Sequence, residues 1–94
     1  MYIGIDLGTS GIKVILLSST GSVIDSSSSD LSVSRPHPLW SEQAPQDWWQ
    51  ALQQCMQQLS LRQSLMSVKA IGLAGQMHGA TLLDSQHQII RPAI

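Results

Sequence analysis

Two short stretches of this chain carry residue types suited to chemistry. The first is Asp6-Leu7-Gly8-Thr9-Ser10-Gly11, with Lys13 just beyond it. A carboxylate that closes an apolar strand, followed by a turn rich in glycine and hydroxyls, suits the binding of a metal and a phosphate together. The glycines let backbone approach phosphate oxygens closely, and successive N–H groups form an anion-binding concavity. Thr9 and Ser10 add hydroxyls, Lys13 can reach a terminal phosphate, and Asp6 can hold Mg²⁺ directly or through its waters, because Mg²⁺ keeps much of its hydration shell. A strand follows this turn, which excludes the strand–loop–helix type of phosphate loop. The same six residues also fit an ordinary hairpin in which Asp6 caps backbone N–H groups, and by themselves they do not separate the two readings.

The second stretch is Gly75-Gln76-Met77-His78-Gly79, at the end of a predicted core strand. Polar residues between two glycines at a strand's carboxyl end fit a ligand-facing edge. Gln76 both donates and accepts, and the His78 imidazole can hydrogen-bond a sugar hydroxyl. On chemistry alone, a solvated His78 at a plain strand-to-loop transition is the simpler reading. His37 and His87 fall in predicted loops without metal-ligand partners at useful spacing. Cys55 sits on an apolar helical stripe with no basic neighbour, which predicts a buried, inert thiol. Trp40, Trp48 and Trp49 are read as core plugs rather than sugar platforms.

The elements that must position these stretches read as strands, then a helix, then strands. Tyr2 to Asp6 is a short apolar strand, and Ile12 to Leu17 is a second whose β-branched run predicts cover on both faces. Ser18 to Ser22 carries hairpin chemistry. Val23 to about Ser34 is a third strand, its serines at 26–29 bracketed by Val23, Ile24, Leu31 and Val33. Pro36 and Pro38 hold the next segment extended. A helix starts at Pro45 with Asp47 in its first turn, although Ala44 is a poor N-cap. Trp48, Leu52, Cys55, Met56 and Leu59 recur at helical spacing, and the helix is predicted to end near Ser60. A second helical stretch is predicted over Leu61 to Met66, a strand over Val68 to Ala74, and a hairpin joining Thr81–Leu83 to Ile89–Ile90. Three antiparallel strands, a crossover helix and a further strand parallel to the first match the opening of a ribonuclease-H-like α/β fold. That topology alone selects no function.

Composition sets outer bounds. At 94 residues the chain makes at most one small domain, burying roughly 60–70% of its unfolded surface. Hydrophobic residues are 43% and charged residues 12%, so composition does not dictate disorder. A net charge of -1 gives no footprint for nucleic acid or an anionic membrane. Apolar runs are too short for a membrane span, and the first residues lack a cationic secretory start. One cysteine allows no intrachain disulfide, so a reducing cytoplasm is the expected location. Arg91-Pro92-Ala93-Ile94 stops without a polar tail, as if within a domain.

Several of these segments together resemble the FGGY carbohydrate kinases, and among them the xylulokinases. Met1 to Lys13 is similar to the first phosphate motif of actin-like ATPases. Pro38-Leu39-Trp40-Ser41-Glu42-Gln43, with Pro45 and Trp48-Trp49, resembles the family's W-x-E-Q-x-P-x-x-W-W stretch, with Ala44 where an acidic residue is common. Gly72 to Gly79 resembles the sugar-contact loop, and Leu82-Leu83-Asp84 with Arg91 to Ile94 the hairpin beyond it. The resemblance implies an actin-like ATPase fold, present as the amino-terminal part of the first kinase domain over residues 1–94. It implies transfer of phosphate from ATP to D-xylulose, giving D-xylulose 5-phosphate. Asp6 would help place Mg²⁺, Gly8, Thr9, Ser10 and Lys13 would face the phosphates, and Gln76, Met77 and His78 would help seat the sugar. The family's aspartate general base lies further along than this stretch, so the 94-residue piece alone is expected to be inactive. Other readings are a related pentulose or polyol kinase, or a non-enzymatic binding domain with an actin-like phosphate turn. An isolated piece of sheet is also expected to self-associate through its edges.

Overall fold

The computed structural model describes residues 1–77 and 79–94. β1 (Tyr2–Leu7), β2 (Gly11–Leu17) and β3 (Val23–Asp30) form an antiparallel meander. Helix α1 (Pro45–Arg62) then crosses to β4 (Ala70–Gly75), which lies parallel to β1. The sheet order is β3-β2-β1-β4. Between β2 and β3, Gly21 turns the chain at φ 89°, and Ser18 accepts the Gly21 N–H on its carbonyl and the Ser22 N–H on its hydroxyl. Only glycine adopts that backbone angle without strain.

The core lies between one face of the sheet and α1. Ile3 and Ile5 from β1 stand beside Ile12, Val14 and Leu16 from β2, and Ala51, Cys55 and Leu59 from α1 cover them. These positions follow a period of two on the strands and of about four on the helix, as each backbone requires. Burying each large apolar side chain stabilises the fold by about 1.5–3 kcal/mol. Cys55 is fully buried, and that burial pushes its thiol pKa up, as expected for an inert cysteine.

The run of serines is strand and not linker, and its alternate members face α1. Ser27 Oγ donates to Gln58, and Ser29 Oγ donates to Gln54 at 3.1 Å. Arg62 Nε donates to Asp25 Oδ2 at 2.8 Å, and its Nη2 donates to the Ser26 carbonyl. The Arg62 guanidinium and the Ser26 N–H hold the Asp25 carboxyl below its ordinary pKa.

Several sequence expectations change. β3 ends at Asp30 and not near Ser34, because its partner β2 begins at Gly11, opposite Asp30. Beyond that point Leu31 N–H bonds Ser10, and Ser34 bridges Glu42. No second helix occupies Leu61 to Met66: α1 runs to Arg62 and Gln63 turns extended. β4 spans Ala70–Gly75, in place of Val68 to Ala74. The predicted hairpin reduces to one bridge, Leu83 with Ile89, closed by Asp84 Oδ1 accepting the Gln86 and Gln88 N–H groups. β2 is covered on one face only, with Lys13 exposed on the other. Trp40 and Trp49 are exposed rather than core plugs. Trp40 leaves the sheet on a loop where Leu39 takes φ 69°, and its ring meets His37 edge-on at 4.6 Å. Trp48 is half-buried.

Candidate phosphate and sugar site

The turn between β1 and β2 forms because Gly8 N–H closes on the Gly11 carbonyl at 2.9 Å. Glycine at 11 follows from crowding, since a Cβ there would meet the Ser29 carbonyl oxygen at 2.9 Å. Asp6 and Lys13 are cross-strand partners, and both are exposed. Residues facing one another across an antiparallel pair share a face of the sheet, so a carboxylate and an ammonium stand side by side at the turn. Among the described residues, the Asp6 carboxylate caps no backbone N–H and enters no ion pair. This removes the plain hairpin-cap reading of that residue. Thr9 and Ser10 are exposed at the apex.

β4 brings the second stretch alongside the first. Its parallel register sets Gly75 opposite Leu7, so the chain leaves β4 next to the turn. There Gln76 Nε2 donates to Thr9 Oγ1 at 2.6 Å. The structure thus joins Thr9 and Gln76 directly, and the Gln76 amide donor is engaged on the turn. Met77 is exposed and lies outside the cavity described next. His78 falls outside the described residues.

Beside this contact lies a cavity of about 270 Å³, walled by Leu7, Thr9, Gln43, Trp48, Gln76 and Gly79, among others. Sequence reasoning assigned no role to Gln43. Its side chain donates to the Thr9 carbonyl at 2.6 Å and accepts from Trp48 Nε1 at 3.0 Å. Its backbone exchanges two hydrogen bonds with Ala93, at 3.0 and 2.7 Å. Next to it, the buried Glu42 pairs with Arg91. The only hint in the sequence was that Gln43 sits in the Trp-Ser-Glu-Gln segment just before Pro45. Pairing over such separations has no local signature.

The antiparallel meander, the parallel crossover and the glycine turn at the end of β1 define an actin-like ATPase fold, present here as a partial amino-terminal subdomain. The chain belongs to the FGGY family of carbohydrate kinases, whose N-terminal domain matches residues 1–94. It is 63% identical over 94 residues to the xylulose kinase of Escherichia coli (strain K12), covering 100% of this chain and 19% of that protein. Among solved structures, the xyloylose kinase from Brucella ovis superposes with a TM-score of 0.96 at 43% identity, over 99% of this chain and 20% of that one. The xylulose kinase from Rhodospirillum rubrum does so with a TM-score of 0.89 at 28% identity, over 98% and 19%. The chain therefore spans about a fifth of the length of these relatives.

Proposed function

We propose that this chain is the amino-terminal segment of a cytoplasmic xylulose kinase that transfers the terminal phosphoryl group of ATP to D-xylulose. The observation that carries the reading is the meeting of the two motifs at Thr9, where Gln76 from the sugar-side loop bonds the phosphate turn. The 63% identity to a xylulose kinase supports a ketopentose as the acceptor.

Phosphoryl transfer depends chiefly on positioning and on charge stabilisation. Thr9 and Ser10 offer backbone N–H groups and hydroxyls to the phosphates. Gly8, whose own N–H closes the turn on Gly11, leaves room for the phosphates to approach the backbone, and Lys13 supplies a positive charge on the neighbouring strand. The exposed Asp6 carboxylate is the hard oxygen donor that Mg²⁺ prefers. Bound there, Mg²⁺ would neutralise charge on the phosphate oxygens. Gln76 and Met77 follow β4 on the loop assigned to the sugar, where Gln76 also borders the cavity beside Trp48. His78, outside the described residues, is assigned to the sugar by the resemblance alone. The general base belongs to the remainder of the enzyme.

Expression of the full reading frame should give ATP-dependent phosphorylation of D-xylulose in preference to other ketoses and to glycerol, read by a coupled ADP assay. The 94-residue chain alone should give none. Equal rates on all acceptors would reject the xylulose assignment, and turnover by the short chain would reject the division of labour.

The short chain should also self-associate. β4 lies at the sheet edge and is exposed throughout, with Ile71 and Leu73 at 56% and 78% exposure. Unpaired apolar edges template pairing with another copy. Sedimentation should show mass rising with concentration, and a lysine in place of Leu73 should suppress it. A strict monomer at all concentrations would contradict this.

A further inference from the structure

We infer that Gln43 is a positioning residue for the phosphate turn, acting through the Thr9 carbonyl to aim the Ser10 N–H. The inference rests on the kinase reading above for its functional consequence, and on hydrogen-bond geometry for its substance.

The polarity of the network is fixed by chemistry. An indole N–H only donates, so the Gln43 oxygen must face Trp48 Nε1, at 3.0 Å. The amide nitrogen is then left to donate to Thr9, and it does so at 2.6 Å, with the Ser32 carbonyl further away at 3.4 Å. Trp48 is carried by the first turn of α1, and the Gln43 backbone is clamped to Ala93 on both its N–H and its carbonyl. The donor reaching Thr9 is therefore itself held from two sides.

Every described peptide bond is trans. In a planar trans peptide the carbonyl and the following N–H point in opposite directions. Holding the Thr9 carbonyl toward Gln43 consequently turns the Ser10 N–H away from it, at the exposed apex. Among the described residues that N–H makes no hydrogen bond. It is the kind of donor a phosphate oxygen accepts. Gln76 holds the hydroxyl of the same threonine, so Gln43 sets the peptide plane while Gln76 sets the side chain. Without Gln43 the Thr9 carbonyl loses its described partner. The Thr9–Ser10 peptide plane is then held only by the closure of the turn, the Leu31 N–H on the Ser10 carbonyl and Gln76 on the Thr9 hydroxyl, so the donor is aimed less firmly.

The test uses the full-length kinase with Gln43→Leu and Gln43→Glu, measuring KM for ATP, KM for D-xylulose, kcat, ATP affinity by calorimetry, and Tm. Gln43→Leu should raise KM and Kd for ATP by about tenfold, as loss of one aimed hydrogen bond implies, with KM for the sugar nearly unchanged. Gln43→Glu keeps the shape and the Trp48 contact but sets a carboxylate against the Thr9 carbonyl. Its ATP affinity should be poor at pH 8 and recover toward wild type as acidification protonates the introduced carboxyl into a donor. Such a recovery is not expected of a residue that only supports the fold. Unchanged ATP affinity in both variants, or a Gln43→Glu defect that ignores pH, would overturn the inference. If the wild type binds ATP and the variants bind it tenfold more weakly, but no sugar is phosphorylated, the inference stands and the xylulose reading falls. A wild type with no affinity for ATP overturns both.

Discussion

Replacing Asp6 by asparagine in the full-length kinase should lower kcat by about 10²–10³-fold while leaving Tm unchanged. The magnitude is that of removing one group aimed at charge developing in a transition state. The unchanged stability follows from position, because the Asp6 side chain is exposed and has no described partner to lose. Asparagine keeps the shape and an oxygen ligand but removes the charge. The Mg²⁺ concentration needed for half-maximal rate should therefore rise as well. Steady-state rates against Mg²⁺, with thermal melting as the control, decide the matter. A variant with full kcat would remove Asp6 from the metal–phosphate role and return it to an exposed strand end.

The largest effect on stability should come from Leu59→Ala. Leu59 is fully buried on α1 and packs into the cluster formed by Ile3, Val14, Leu16 and Cys55. Truncation removes transfer energy and leaves a void, together costing about 2–5 kcal/mol. That is a large share of the roughly 5–15 kcal/mol that stabilises an ordinary domain. Leu61 is the internal comparison, since it lies two residues further along the same helix at 81% exposure. Leu61→Ala should stay within about 0.5 kcal/mol of wild type. Denaturant unfolding of the chain with each substitution measures the contrast. Equal losses at the two sites would mean that α1 does not seat on the sheet through this face.

Much of this architecture was legible because it has local causes. The apolar runs of β1 and β2, the turn chemistry at Ser18 to Ser22, and Pro45 with Asp47 at the start of α1 each act within a few residues. The tight turn between β1 and β2, proposed above to face phosphate, was legible for the same reason: a carboxylate, two glycines and two hydroxyls stand in one unbroken stretch. Boundaries that depend on a partner strand were not. Nothing between Leu31 and Ser34 forbids a strand; β3 stops because β2 has no residue left to pair with it. The tryptophans were misread because indole size predicts burial, whereas exposure at Trp40 depends on where a proline-rich loop carries it. Gln43 escaped notice because a lone glutamine gains meaning only when folding brings Thr9, Trp48 and Ala93 to it. Part of the site was visible as a string, and part only as a meeting.

The pairs linking β3 to α1 work as a vernier. Along the strand, Asp25, Ser27 and Ser29 are spaced two residues apart, about 6.6 Å per step. Along the helix, their partners Arg62, Gln58 and Gln54 are spaced four apart, about 6 Å per step. The two rulers nearly coincide, running in opposite directions, with a drift of about 0.6 Å per rung. Side-chain flexibility absorbs that drift over three rungs, and a much longer series would fall out of step. A slide of α1 by one turn would keep the apolar stripe roughly aligned but would place Gln58 against Asp25 or Ser29. Apolar packing tells the helix which face to bury; this polar scale tells it where along the strand to stop, and so where Pro45 and Trp48 arrive beside the turn between β1 and β2.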